Sequence, residues 1–254
     1  MGALKALIKK TLPGQLLVHM QAWDHYLHGE PEIRLLAQLS STGRDAIDAG
    51  ANIGTYTYFL RKHAKRVYAF EPNPTLADKL IRLFPKVIVR NLALSDKAGQ
   101  VVLKMPIDAS GNELHELSSI AQTFSGRTRD FPIQSVTIDS ERFDNIGFLK
   151  VDVEQHEREV LRGAMETIKR CRPIILTEVS PLKYEDALPD VFTFLTQHAY
   201  VGWFRFAGKW LPLSEFRSEI HTNRQHFGDK EKFIGGNIIF IPAEHALSKS
   251  GPLP

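Results

Sequence analysis

Residues 45–57, DAIDAGANIGTYT, constrain the fold more than any other stretch of this chain. A short apolar run, Ala46 and Ile47, leads to the acid Asp48 and then to a small-residue loop, Gly50-Ala51-Asn52-Ile53-Gly54, that opens a helix. The next apolar run, Val67–Phe70 in VYAFEPNP, ends in a second acid, Glu71. An α/β sheet builds a nucleotide pocket in this order. Glycines let the backbone approach the ligand, and the acid at the second strand end accepts ribose hydroxyls. The dinucleotide pattern G-x-G-x-x-G is not met, because Gly50 and Gly54 are four apart and Asn52 stands where the second glycine belongs. The Lys and Ser/Thr of a phosphate-binding loop are missing too. The loop therefore suits an adenosine-like ligand with no pyrophosphate to cradle.

The rhythm continues on both sides of this unit. Strands expected at 45–49, 66–70 and 87–91 alternate with helices at 55–63 and 74–83, which implies a parallel sheet with right-handed crossovers. Gln100–Met105 and Ile133–Ile138 alternate like antiparallel strands around a polar stretch, which predicts an insertion at 99–140 with a mobile loop at 108–128. A strand at 148–153, one helix over 157–169, a strand at 174–178 and a helix over 186–198 follow. Late strands are expected at 201–206, 209–213 and 237–241, the last of them antiparallel. Helices are expected at 3–12 and 31–40. The chain thus divides into a helical cap at 1–43, a main domain at 44–242 and a tail at 243–254.

With 254 residues and 43% hydrophobic content, one globular domain can bury a large core. The single cysteine, Cys171, excludes an internal disulfide and points to a reducing, cytoplasmic setting. It reads as a core residue. The net charge of +3 is spread out, so nucleic acid is not implied as a partner. No apolar run reaches the length of a membrane span. At the N-terminus Leu4, Leu7, Ile8 and Leu12 share a helical face, and Lys5, Lys9 and Lys10 decorate the rest. Two readings stand: a helix packed on the domain, or a basic amphipathic anchor making peripheral membrane contact.

Asp48 and Glu71 fall at strand carboxyl ends, where ligands bind in open α/β sheets. Two acids there suit a cationic ligand such as the sulfonium of S-adenosylmethionine. The alternative is that each caps the following helix. In Lys150-Val-Asp-Val-Glu154, alternation puts Lys150, Asp152 and Glu154 on one face of a buried strand. Charges there need a reason. Either Lys150 and Asp152 neutralise each other, or Asp152 lies near a cofactor amino group and Glu154 near an acceptor. His156 is a general base or a solvated first-turn residue. Glu178 orients an acceptor hydroxyl, binds a divalent cation with Asp152, or pairs with Lys183. His25, His28, His221 and His226 lack ligand-like spacing, so no metal centre is assigned. Trp203 and Trp210 flank an expected hairpin, as core residues or as a sugar-stacking platform.

Taken in order, HGEPEI at 28–33, DAIDAGANIGTYT at 45–57, VYAFEPNP at 67–74, NLALSDKAG at 91–99, FLKVDVEQHEREVLRGA at 148–164 and ILTEV at 175–179 resemble the FkbM-like family of S-adenosylmethionine-dependent methyltransferases. The resemblance covers residues 24–241. It implies the class I methyltransferase fold: an α/β, Rossmann-like, doubly wound and mostly parallel seven-stranded sheet with an antiparallel last strand. It implies S-adenosyl-L-methionine as cofactor and O-methylation of a hydroxyl on a sugar, lipid or natural-product acceptor. By the same match Asp48, Gly50, Asn52 and Gly54 line the methionine part of the cofactor. Glu71 takes the ribose hydroxyls, Asn73, Asn91 and Ala93 border adenine, and Glu30 comes from a covering segment. A hydroxyl acceptor needs a base, for which Glu154, His156 and Glu178 are the candidates. One departure stands out. Family members carry glycine after the DVE triplet, a sign of close backbone approach or positive φ, and this chain has Gln155. The residues leave two rivals open: a non-catalytic nucleotide-binding module, and an NAD(P)-dependent oxidoreductase on a similar sheet.

Overall fold

A computed structural model describes residues 14–179, 188–221 and 236–252. The helix expected at 3–12, Lys183 and His226 lie outside the described residues. Helices α1 (Gly14–His28), α2 (Thr55–His63), α3 (Pro74–Leu83), α4 (Glu157–Arg162), α5 (Met165–Cys171) and α6 (Leu188–Gln197) accompany strands β1 (Asp45–Ala49), β2 (Val67–Phe70), β3 (Ile88–Arg90), β4 (Ala93–Leu94), β5 (Gly99–Pro106), β6 (Thr128–Val136), β7 (Ile146–Val151), β8 (Ile174–Val179), β9 (Tyr200–Phe206), β10 (Lys209–Pro212) and β11 (Gly236–Pro242).

Parallel strands covered on both faces must be apolar on both, and β1 is buried at every position. Alternate residues feed two cores. Ile47, Leu149, Val151, Ile175 and Phe240 face Val160, Leu161 and Ile168 of α4 and α5. Ala46, Phe148, Leu176 and Ile239 face Val18 of α1, Phe59 and Leu60 of α2 and Leu80 of α3. This two-sided packing is the doubly wound arrangement expected from the sequence.

Among the described residues the main sheet has eight strands, in the order β10-β9-β11-β8-β7-β1-β2-β3. Strands β3, β2, β1, β7 and β8 are parallel, and β11 enters antiparallel to both β8 and β9. The expected seven strands are exceeded by β10, which folds back on β9. Its turn residues, Ala207 and Gly208, have φ of 48° and 76°. Two left-handed residues match a tight hairpin to the twist of its strands. Trp203, on β9, is a core residue at 9% exposure.

The insertion forms a second sheet, β4-β6-β5, in which β5 and β6 pair antiparallel over their whole length. Strand β6 consequently starts at Thr128 rather than 133. The single helix expected over 157–169 is two helices, broken at Gly163 and Ala164. The cause lies outside the helix. Asp139, just after β6, accepts the Glu166 and Thr167 amides at 3.0 and 2.8 Å, and its own amide donates to the Gly163 carbonyl at 2.9 Å. A Cβ on Gly163 would lie 2.1 Å from the Ser95 carbonyl oxygen. Residues 31–40 are likewise a 3-10 turn, Pro31–Leu35, followed by a short helix, Leu36–Leu39. Helix α1 is absent from the sequence-based expectation. Its buried Val18 and Ala22 oppose exposed Leu16, Met20, Trp23 and Leu27, so no single apolar stripe marks it.

Asp139 thus caps α5 from a distant part of the chain. Replacing it, Asp139→Ala, is expected to lower the unfolding free energy by about 1 kcal/mol in a urea titration. An unchanged midpoint would show that the cap contributes nothing.

Candidate functional site

The carboxyl ends of β1, β2 and β7 meet at one edge of the sheet. The Gly50 and Ala51 amides both donate to the Phe70 carbonyl at 3.0 Å, and the Asp152 amide donates to the Ala49 carbonyl at 3.0 Å. Gly50 has φ of 78°, and a Cβ there would lie 1.8 Å from the Asp152 carbonyl oxygen. Only glycine lets the loops after β1 and β7 come this close. The buried carboxylate of Glu71 ties the edge together. Its Oε2 accepts the Asn52 amide at 2.7 Å and its Oε1 the Asn73 amide at 2.8 Å. Burial pushes the Glu71 carboxyl up to about 7 against the pull of those two bonds.

A cleft of about 590 Å³, counted to its open mouth, lies over this edge. Gly50, Asn52, Glu71, Pro72, Ala93, Asp152 and Glu154 line it from the strand ends, and His115, Glu116, Ser118, Ser119 and Ile120 line it from the insertion. The insertion is fastened at three points. Asn73 Nδ2 donates to Ser118 Oγ at 3.1 Å and to His115 Nδ1 at 3.2 Å, Asn52 Nδ2 donates to the Glu116 carbonyl at 3.3 Å, and Ser119 Oγ donates to the Glu154 carbonyl at 2.7 Å.

Beside the cleft is a charged cluster. Lys150, 2% exposed, donates from Nζ to Asp152 Oδ2 at 2.8 Å, and its Nζ lies 4.5 Å from the Tyr56 ring centre. Burial pulls the Lys150 ammonium down, but Asp152, Asp48 and Glu30 together hold it above the ordinary lysine range. Asp48 is wholly buried and accepts the Thr57 hydroxyl at 2.6 Å. Burial raises its carboxyl, with Lys150 and Thr57 pulling the other way. Glu30 Oε2 accepts from Tyr56 Oη at 2.5 Å and from Asn237 Nδ2 at 2.6 Å. One carboxylate oxygen each from Asp152, Glu154 and Glu178 come within 4.8 Å of one another, a spacing that a divalent cation could bridge.

Of the residues singled out from sequence, the structure brings Gly50, Asn52, Glu71, Ala93, Asp152 and Glu154 to the cleft, with Glu178 converging on the last two. Others lie elsewhere. Gly54, at φ of 89°, faces Phe84 and Leu80, where a Cβ would come within 2.5 and 2.7 Å, so it serves helix packing. Asp48 lies beneath the loop rather than in the lining. Asn73 caps α3 through Oδ1 and holds the insertion, and Asn91 donates to the Glu71 and Pro72 carbonyls at 2.9 Å each. Glu30 belongs to the charged cluster. His156 is away from the cleft: its Nε2 is 2.9 Å from Ser95 Oγ, its Nδ1 is 3.6 Å from Glu159, and burial lowers its pKa despite the Glu159 charge. The expectation of a base at His156 is corrected accordingly. Sequence reasoning missed His115, Ser118 and Ser119, which belong to a polar stretch without period. It also missed Tyr56, whose ring meets Lys150 and whose hydroxyl donates to Glu30.

Glutamine after the DVE triplet does take the backbone that glycine favours. Glu154 and Gln155 have φ of 56° and 75°. The strain is held by Glu157, whose Oε1 accepts the Val153 and Gln155 amides at 3.0 and 3.2 Å. Gln155→Gly is expected to raise the unfolding free energy by about 1 kcal/mol, because a left-handed residue with a Cβ costs about that much. A drop in stability would refute the account of this turn. The buried Glu32 gives a pH signature. Burial raises its carboxyl to about 7, reinforced by Glu30 and opposed by its own backbone bond and the Asn237 bond. The native state then holds this proton more tightly than the unfolded chain does. Stability from Glu32 is complete below its unfolded pKa of 4.5 and is lost as pH rises through about 7. Relative to Glu32→Gln, the parent chain should lose stability between pH 5 and pH 8 in urea titrations, and a constant difference would contradict the assignment.

Residues 48–201 match the family model described as the methyltransferase FkbM domain. The hexuronic acid methyltransferase AglP of Haloferax volcanii is 31% identical over 159 residues, covering 59% of this chain and 62% of that protein. The crystal structure of the methyltransferase FkbM from Methylobacillus flagellatus matches with a TM-score of 0.51 at 14% identity, covering 92% of this chain and 60% of that one. The matches span 62% and 60% of those two proteins' own lengths, and the second shows likeness of fold alone.

Proposed function

The chain belongs to the FkbM methyltransferase family, and from that premise we propose that it binds S-adenosylmethionine in the cleft and transfers the methyl group to a sugar hydroxyl. The observation that carries the reading is Glu71, a buried carboxylate held by two backbone amides at the mouth of the glycine loop. Its remaining acceptor capacity suits the paired hydroxyls of a ribose. One further atom fits the cofactor. Asn52, in the cleft lining, has in Oδ1 a buried acceptor without a hydrogen-bond partner among the described residues. Beside a loop that only glycine can form, it favours a ligand bringing N–H donors.

Bound there, the cofactor supplies a methyl group activated by its sulfonium. The protein's residues do the rest. Glu71 fixes the ribose, and Asn52 with Asp152 orients the amino group. Phe70, Pro72, Leu92 and Leu103 give the base an apolar bed. Holding the acceptor oxygen in line with the methyl carbon is the main contribution, since positioning alone removes much of the barrier. Glu154 or Glu178 would accept the hydroxyl proton as the acceptor oxygen is methylated. The printed name of one relative, a hexuronic acid methyltransferase, supports the sugar acceptor.

Calorimetric titration with S-adenosylmethionine and S-adenosylhomocysteine, with NAD as control, tests the cofactor. Micromolar binding of the first two is expected, weakened at least about tenfold by Glu71→Ala, the loss of hydrogen bonds to a charged group. Incubation with hexuronic acid glycosides should then yield products heavier by one CH2. No binding by folded protein would overturn the reading.

A further inference from the structure

We propose that the outer face of α1, with the groove beside it, is a docking surface for an anionic lipid bilayer. On α1 the side chains of Leu16, Met20, Trp23 and Leu27 are 45, 48, 40 and 57% exposed. At 3.6 residues per turn they fall within an arc of about 60° and extend over about 17 Å of helix. The helix already buries its opposite face through Val18 and Ala22. A surface helix normally turns polar residues outward. Single exposed apolar residues are ordinary, but four in one line form a continuous patch that marks an interaction site.

The surroundings specify the partner. Leu16 also borders an open groove lined by apolar Leu83, Phe84 and Val87 and by the cations Arg61 and Lys86, with no acid in its wall. Lys62 Nζ lies 5.9 Å from the centre of the Trp23 ring. The chain leading into α1 carries Lys5, Lys9 and Lys10, and the exposed Asp24 on α1 itself lies 3.2 Å from His28 Nδ1. An apolar stripe with an indole and a rim of cations is the pattern of a helix lying in the headgroup layer. Indoles settle at that depth, and each nearby cation adds attraction to anionic lipid. Among the described residues no helix is long and apolar enough to cross a membrane, so the contact is with the surface. A second copy of the chain fits less well, because pairing two such faces would bring like-charged rims together.

The test uses the full chain and sedimentation with phosphatidylcholine vesicles made with and without phosphatidylglycerol. Binding is expected only with phosphatidylglycerol, weakening as salt is raised. Both Trp23→Gln/Leu27→Gln and Arg61→Glu/Lys86→Glu should reduce partitioning about tenfold. All four positions are at the surface or in the groove wall, and circular dichroism would check that each variant is folded. The proposal is overturned if the folded parent chain stays in the supernatant, or if both variants bind as it does. It is equally overturned if only Lys5→Glu/Lys9→Glu/Lys10→Glu abolishes binding. A dimer lost in Trp23→Gln/Leu27→Gln, with no vesicle binding, would give the face to a second copy instead.

Discussion

An ammonium group nearly excluded from water sets the terms for much of this structure. Lys150 lies on β7, the strand next to β1 near the middle of the sheet, on the face that also receives Tyr56 of α2. A buried charge survives only if its surroundings compensate for lost hydration, and removing one member of such a cluster commonly costs about 3–5 kcal/mol. Asp152 compensates by direct contact, Asp48 from the adjacent strand, and Glu30 through the Tyr56 side. The acids that give the carboxyl edge its character are therefore anchored by a cation beneath them. Stability of the sheet centre and electrostatics of the cleft are parts of one balance.

The backbone at that edge departs from ordinary conformation in two loops. Gly50, Asn52 and Gly54 after β1, and Glu154 and Gln155 after β7, all have positive φ. Only two of the five are glycine at the cleft itself or beneath its loop, so the remaining three hold their conformation through hydrogen bonds. Glu71 and Glu157 have related roles: Glu157 accepts two amides from the turn after β7, and Glu71 accepts one amide from the loop after β1 and one from the loop after β2.

The parallel strands were legible because short apolar runs ended in acids and small residues, a pattern with one physical reading. Three features were not. Helix α1 is apolar on two opposed faces, which erases the period that announces a helix. The break between α4 and α5 depends on Asp139, too distant in sequence for local pattern to reveal. The segment around His115 has no period at all, and its place over the cleft is decided by Asn52, Asn73 and Glu154. Within the site, strand position identified Gly50, Asn52, Glu71, Asp152 and Glu154 as cleft residues. It failed for Gly54, which the α3 contact claims, and for His156, which the first turn of α4 directs toward Ser95. A position at a strand end states which edge a residue belongs to, and only packing decides whether it faces in, down or away.

The placement of β11 also orders events during synthesis. Among the described residues β9 pairs in the sheet with β11 and not with β8, and β11, made some thirty residues later, lies between them. As the chain emerges from the ribosome, β1, β2, β3, β7 and β8 can assemble while the β9–β10 hairpin has no sheet to join. Until residue 242 is clear, β8 presents an open edge of unpaired amides and carbonyls, the kind of edge that recruits other chains. The last strand therefore acts as a late keystone, and the half-built protein is most vulnerable to aggregation just before it arrives.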